Sequence, residues 1–148
     1  MELLGNVEFF KGHRCSRKRN IMMNQCEIRQ MMLKRTKHLA ISIIKLTHKF
    51  PSKTAYWVIG KQIVKSSTST ATNYNTTNLA RSRKEFYAKL CIVVEECNET
   101  IIWLNILEEA DLIKPEDVRD LIKETTELLS ILSKSKKTTK TALNKKTS

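Results

Sequence analysis

Apolar residues recur three or four positions apart through four successive stretches of this chain, a period that fits one face of an α-helix and not a strand. In the first stretch Ile28, Met32, Leu39, Ile43, Leu46 and Phe50 form one stripe, from about Asn24 to Lys49. Pro51 stops it, because a proline pushes the preceding residue out of the α region. Ser52 is placed to cap a second helix, over about Lys53 to Asn75, whose stripe is Ile59, Ile63, Ser66/Ser67, Thr70 and Tyr74, with Trp57 near its start. The run from Ser66 to Thr72 has low helix propensity, and a Ser/Thr linker is the alternative there. The stripe continues through the run, which favours a helix whose hydroxyls bond back to carbonyls one turn earlier.

Ser82 followed by Glu85 is a capping-box pattern, and a third helix is expected from about Arg83 to Ala110. Its stripe is Phe86, Leu90, Val93, Cys97, Ile101 and Leu104; Ile92, Val94, Ile102, Trp103, Ile106 and Leu107 widen it beyond a half cylinder. A helix apolar on more than one face needs cover on more than one side. Ile102 and Trp103 are therefore candidate contacts between copies of the chain. Pro115, Glu116 and Asp117 suit the first turn of a fourth helix, where proline is tolerated and the dipole favours acids. Val118, Leu121, Ile122, Leu128, Leu129 and Leu132 follow, and the helix is expected to end among Lys134, Lys136 and Lys137.

With 148 residues, 3 Gly and 2 Pro, the chain suits one helical domain and not an all-β fold, which consumes turn residues at short intervals. The expected organisation is a basic, irregular lead over 1–22, a four-helix bundle over 23–137 and a disordered Lys/Thr-rich tail over 138–148. Four long helices with short connections imply an all-α four-helix bundle.

The charge is unevenly placed. The formal net charge is +12, yet from Ile28 to Lys84 there are 12 Lys/Arg and no Asp or Glu, while 12 of the 15 acids lie between Glu85 and Glu127. One helical hairpin is basic and the other acidic. A single-sign surface attracts polyanions, and RNA or DNA is the expected partner. The competing expectation is an interaction module whose basic face meets an acidic protein patch. No aromatic strand motif or compact recognition helix is present, so phosphate contacts should outweigh base reading.

Enzyme chemistry finds little support. There is no Gly-rich phosphate loop, no H-E-x-x-H and no G-x-S-x-G. Cys15, Cys26, Cys91 and Cys97 lack metal-ligand spacing and read as free thiols of a reducing compartment, mostly core residues. His38 and His48 are ten apart and do not form a ligand pair, and Glu95, Glu96 and Glu99 lack the histidines of a carboxylate metal site. No cofactor is expected. The chain shows neither a membrane-spanning run nor a signal-peptide pattern, and a cytoplasmic location is the expectation.

Several ordered segments resemble a known family. Arg35-Thr-Lys-His-Leu-Ala-Ile-Ser-Ile-Ile-Lys-Leu, Phe50-Pro51 and Ile59-Gly-Lys-Gln-Ile look like the first half of the four-helix-bundle proteins associated with 23S ribosomal RNA intervening sequences. Lys65-Ser-Ser-Thr-Ser-Thr-Ala-Thr-Asn-Tyr resembles that family's R-S-x-x-S-[IV]-x-x-N-[IY] signature. Ala80-Arg-Ser-Arg-Lys-Glu-Phe-Tyr-Ala-Lys-Leu and Glu95-Glu-Cys-Asn-Glu-Thr-Ile-Ile-Trp-Leu resemble two later portions. Lys65 stands where Arg is usual, Ser67 where Gly is common, and Thr76-Thr77 where a Glu-Ala pair often follows. The resemblance implies an antiparallel, up-down-up-down bundle that assembles into a ring-shaped homo-oligomer, typically a pentamer. It also implies a role beside nucleic acid, since relatives include the accessory protein of diversity-generating retroelements. A reverse transcriptase or a ribosomal component is thus an alternative partner.

Within the motif, Ser66, Ser69 and Asn73 share one helix face and are expected, with Tyr74, Glu85 and Phe86, to hold the bundle together. Lys61 and Lys65, one turn apart, and Arg81, Arg83 and Lys84, beside a turn, are the candidate phosphate ligands.

Overall fold

The computed structural model describes residues 24–145. The lead over 1–22, with Cys15 and its cluster of arginines and lysines, lies outside the described residues, as do 146–148. Four helices make up the described chain: α1 (Gln25–Thr47), α2 (Thr54–Thr77), α3 (Arg83–Glu109) and α4 (Pro115–Asn144), with no strand among the described residues. None is long and apolar enough to cross a membrane.

Local chemistry sets the boundaries. Asn24 accepts a hydrogen bond from the Glu27 amide at 2.9 Å, and the Glu27 carboxylate accepts one from the Asn24 amide at 2.8 Å, a complete capping box. Ser52 does not cap α2. The N-cap is Lys53, whose ammonium has no acceptor with which to cap the helix, and whose amide turns back onto the Pro51 carbonyl at 2.8 Å. Ser82 caps α3 as expected, accepting from the Glu85 amide at 3.0 Å, but Glu85 reaches one residue further and accepts from the Arg81 amide at 2.8 Å. Between α3 and α4, Asp111 takes a left-handed conformation, φ 53°. The Leu112 amide bonds to the Leu107 carbonyl and the Asp111 amide to that of Glu108, both at 3.0 Å, which closes α3 with a Schellman turn.

The Ser/Thr run is helix throughout. Ser67, Thr68, Thr70 and Thr72 donate to carbonyls three or four residues earlier, so each hydroxyl is satisfied without breaking the helix. α4 outlasts its expected end near Lys137: residues 138–144 are helical and not a disordered tail. The reason is a polar core position. Thr139 is 4% exposed, with its hydroxyl bonded to the Ser135 carbonyl at 2.9 Å, and it continues the buried stripe of Leu128 and Leu132.

Among the described residues α1 packs on α2 and α4, α3 packs on α2 and α4, and the backbones of the diagonal pairs stay apart across the shared core. The start of α1 (Ile28), the end of α2 (Tyr74), the start of α3 (Phe86) and the late turns of α4 (Ser135) border one small cavity. At the opposite end Leu46, Tyr56 and Leu112 come together. The core is Met32, Leu39 and Ile43 from α1, Ile63 from α2, Leu90, Val93, Leu104 and Leu107 from α3, and Val118, Leu128 and Leu132 from α4, all at most 1% exposed. Each such side chain contributes about 1.5–3 kcal/mol by leaving water.

Candidate nucleic-acid interface

The acid-free span is largely a surface feature. Of its twelve cations, nine are exposed: Lys34, Lys37, Lys45, Lys49, Lys53, Lys61, Lys65, Arg81 and Lys84. Arg29, Arg35 and Arg83 are half-buried. Arg35 is committed within the bundle. Its Nε and Nη2 donate to the two Glu124 oxygens at 2.8 Å each, and Nη1 donates to Glu127 at 3.2 Å, tying α1 to α4. The bond from Arg35 holds the Glu124 carboxyl below the usual range.

The candidate phosphate ligands fall at two places. Lys61 and Lys65 line an open groove of about 820 Å³ beside the α1–α2 turn, with Lys53, Phe50, Tyr56 and Trp57. Arg81, Arg83 and Lys84 lie beyond the other end of α2, roughly 24 Å away by the helical rise from residue 61 to 77. The late turns of α4 reach that same end of the bundle, so the exposed Lys134, Lys137 and Lys140 stand on a helix there.

The groove is built from pinned aromatics. The Tyr56 hydroxyl donates to the Leu112 carbonyl at 2.6 Å, and its ring meets Phe50 edge-on at 5.2 Å between centroids. With Phe50 and Tyr56 turned inward, the adjoining Trp57 is left 65% exposed. The Lys61 ammonium lies 4.5 Å from the Trp57 ring centroid, a cation–π contact worth about 0.5–1 kcal/mol at an exposed site. Among the described residues no carboxylate lines the groove. Lys65 acts on Glu96 across the α2–α3 seam. Burial and then the neighbouring Glu99 raise the Glu96 carboxyl, while Lys65 pulls it back down.

Of the other motif residues, Ser66, Tyr74, Glu85 and Phe86 make contacts within the bundle. Ser66 is fully buried and accepts from the Thr100 hydroxyl at 2.9 Å, joining α2 to α3. Ser69 and Asn73 are half-buried on the same face. Tyr74 packs on the core, and burial pushes its hydroxyl up to about 12, against a small opposing pull from Arg29. Phe86 is buried, and Glu85 serves the cap and pairs with Lys89 at 3.7 Å. Cys97 is core, its thiol pushed up to about 12 by burial, but Cys26 is exposed and Cys91 half-buried.

The two candidate interface residues separate. Ile102 is 47% exposed, whereas Trp103 packs partly on the core and donates to Glu99 at 3.0 Å. Ile92 and Ile106 join Ile102 on the exposed side of α3, and Ile41 and Ile44 are exposed on α1. Trp57 carried a readable signal, an aromatic inside an acid-free basic helix. Its exposure depended on Tyr56 and Phe50 taking the inward positions.

No functionally curated protein is significantly similar to this chain. Among solved structures it is similar to a protein of unknown function from the S23 ribosomal protein family of Bacteroides thetaiotaomicron VPI-5482. That likeness has a TM-score of 0.68 and 28% identity, over 74% of this chain and 97% of the other. Residues 29–134 match the family described as 23S rRNA-intervening sequence protein. That match takes in all of α2 and α3, the buried Ser66–Thr100 contact and both basic clusters, and the chain belongs to the 23S rRNA-intervening sequence protein family.

Proposed function

We propose that this protein is a non-enzymatic, cytoplasmic nucleic-acid-binding protein that holds RNA or DNA by its phosphates. The observation that carries this reading is the exposure of nine cations in a span without a single carboxylate. Such a surface gains from releasing the counterions condensed on a polyanion. The family's association with 23S rRNA makes RNA the first ligand to try.

The alternation of helix starts and ends around the small cavity supports an antiparallel, up-down-up-down bundle. A ring-shaped homo-oligomer, a pentamer by family resemblance, is part of the same proposal. α1 and α3 occupy diagonal corners, each carries exposed isoleucines, and their flanking charges are opposite: Lys37 and Lys45 on α1, Glu95 on α3. A contact between unlike faces on opposite sides of a protomer repeats head to tail and closes into a ring when the rotation allows.

Filter binding over a salt series tests the main proposal. If Lys53, Lys61, Lys65, Arg81 and Lys84 each neutralise one phosphate, log K should fall against log salt with a slope of about −4.5 on a duplex. Absence of binding at about 50 mM salt, where phosphate contacts are near their strongest, refutes it and leaves docking on an acidic protein, such as a reverse transcriptase or ribosomal component, as the explanation of the basic face.

A further inference from the structure

We infer that the groove beside the α1–α2 turn binds single-stranded nucleic acid, with Trp57 as the platform on which one unpaired base stacks and Lys53, Lys61 and Lys65 on the flanking phosphates. The inference rests on the nucleic-acid reading above and adds a preference that the charge alone does not give. Trp57 is the largest aromatic side chain the helix could have buried, yet it stands 65% exposed while Phe50 and Tyr56 on either side of the turn are held against the bundle. An exposed indole beside a cationic groove offers a π-face on which a base can stack. The indole face already attracts a cation, since the Lys61 ammonium rests 4.5 Å from its centroid. An arriving base takes over a face of the ring and frees Lys61 for the adjoining phosphate, so one event makes both contacts. Lys53, Lys61 and Lys65 span about 18 Å along the helix, by its rise per residue. Among the described residues no carboxylate lines the groove they share, although Glu96 of α3 lies near enough to Lys65 to feel its charge. A duplex can reach the same lysines but keeps its bases stacked on each other and cannot offer a face to Trp57.

Anisotropy titrations at low salt distinguish these modes. The ligands are an oligouridylate, the same backbone with abasic sites, and an RNA duplex of equal length. Trp57→Ala should weaken oligouridylate binding about tenfold and leave the duplex unchanged, and Trp57→Phe should restore most of the loss. The abasic strand should bind the wild-type protein as weakly as oligouridylate binds Trp57→Ala. If Trp57→Ala leaves oligouridylate binding intact, or weakens duplex binding equally, the stacking inference is overturned while the basic-surface reading stands. If the wild-type protein binds none of the three, both fall. If light scattering shows that Trp57→Ala instead changes the oligomeric mass, the indole belongs to a contact between copies and the inference is overturned. Thermal melts of both variants should match the wild type, since the side chain lies largely in water.

Discussion

Arg35 sits in the middle of the basic span yet should contribute nothing to nucleic-acid binding, and Arg35→Met tests both halves of that statement. The fork to Glu124 has two bonds of 2.8 Å, with the Arg35 side chain 21% exposed and Glu124 33%; the contact to Glu127, whose side chain is 58% exposed, is 3.2 Å. A charge-assisted hydrogen bond in a protein contributes about 1.5–3 kcal/mol net, an exposed ion pair about 0–1 kcal/mol. The fork lies between these limits, so its loss should cost about 1–2 kcal/mol, and the Glu127 contact adds little. Methionine keeps the length and the apolar packing of the stem while removing the charge. Denaturant unfolding of Arg35→Met, Glu124→Gln and the double variant, at one protein concentration, should return a coupling energy of about 1–2 kcal/mol, with a melting point roughly 3–8 °C lower for Arg35→Met. The folded Glu124 carboxyl titrates below its unfolded value, chiefly through the Arg35 bond. The stabilisation is therefore fully present above the ordinary glutamate value of about 4.3 and disappears as the pH falls through the lower, folded value. Nucleic-acid affinity and its salt slope should not change in Arg35→Met. A coupling under about 0.3 kcal/mol would show that α1 and α4 are joined by apolar packing alone. A loss of affinity as large as that of Lys61→Ala would show that Arg35 leaves Glu124 for phosphate, and the division between structural and binding cations would be wrong.

Charge reversal of Arg81 and Lys84 to Glu should weaken binding to different sequences alike and make the duplex salt slope less steep by about 2; a change confined to one sequence contradicts phosphate contact. Ile102→Glu should reduce the mass seen by light scattering without lowering the protomer's helix content, whereas Trp103→Glu should destabilise the fold itself, because that indole packs on the core. Asp111→Gly should raise stability by roughly 0.5 kcal/mol in thermal melts, since the left-handed backbone there, φ 53°, carries a cost for any side chain. Thr100→Val should cost about 1 kcal/mol, because the hydroxyl pair with Ser66 is lost inside the α2–α3 seam.

The helices were legible because their apolar period is carried by large side chains. Met32, Leu39, Ile43, Leu90 and Leu104 all occupy the core that their spacing implies. What escaped the sequence followed from tertiary contact. The last turns of α4 contain threonines and lysines, which read as a tail until Thr139 is seen to occupy a core position with its hydroxyl satisfied locally. The pairing of Arg35 with Glu124 spans 89 positions and depends on which helix lies beside α1 and in what register, neither of which a charge count contains. Ile102 and Trp103 are neighbours in sequence, but a step of about 100° around the helix turns one outward and the other against the core. Trp57 was visible as an apolar residue early in α2. Only the inward placement of Tyr56 and Phe50 makes it a surface feature.

The proposed assembly and the proposed binding surface draw on different cations. A head-to-tail contact of α1 on α3 would bring Lys37 and Lys45 towards Glu95 and cover Ile41, Ile44, Ile92 and Ile102, neutralising part of the basic hairpin between copies. Lys61 and Lys65 lie on α2, Lys53 at its N-cap, and Arg81 and Lys84 beyond its far end, none of them on α1 or among the exposed isoleucines of α3 that make that contact. Each copy added to a ring would then bring another set of free cations, and a polyanion long enough to touch several sets would bind with the gain of multivalency, not through a stronger single site. Salt should therefore act on two processes separately. It weakens phosphate contact steeply, but the apolar part of the α1–α3 contact resists it, so the ring should outlast nucleic-acid release as salt rises. Reducing the protein to protomers with Ile102→Glu should cost little affinity for a strand short enough to touch one α2 groove and far more for a long one. Equal losses on both would mean that the two surfaces overlap after all.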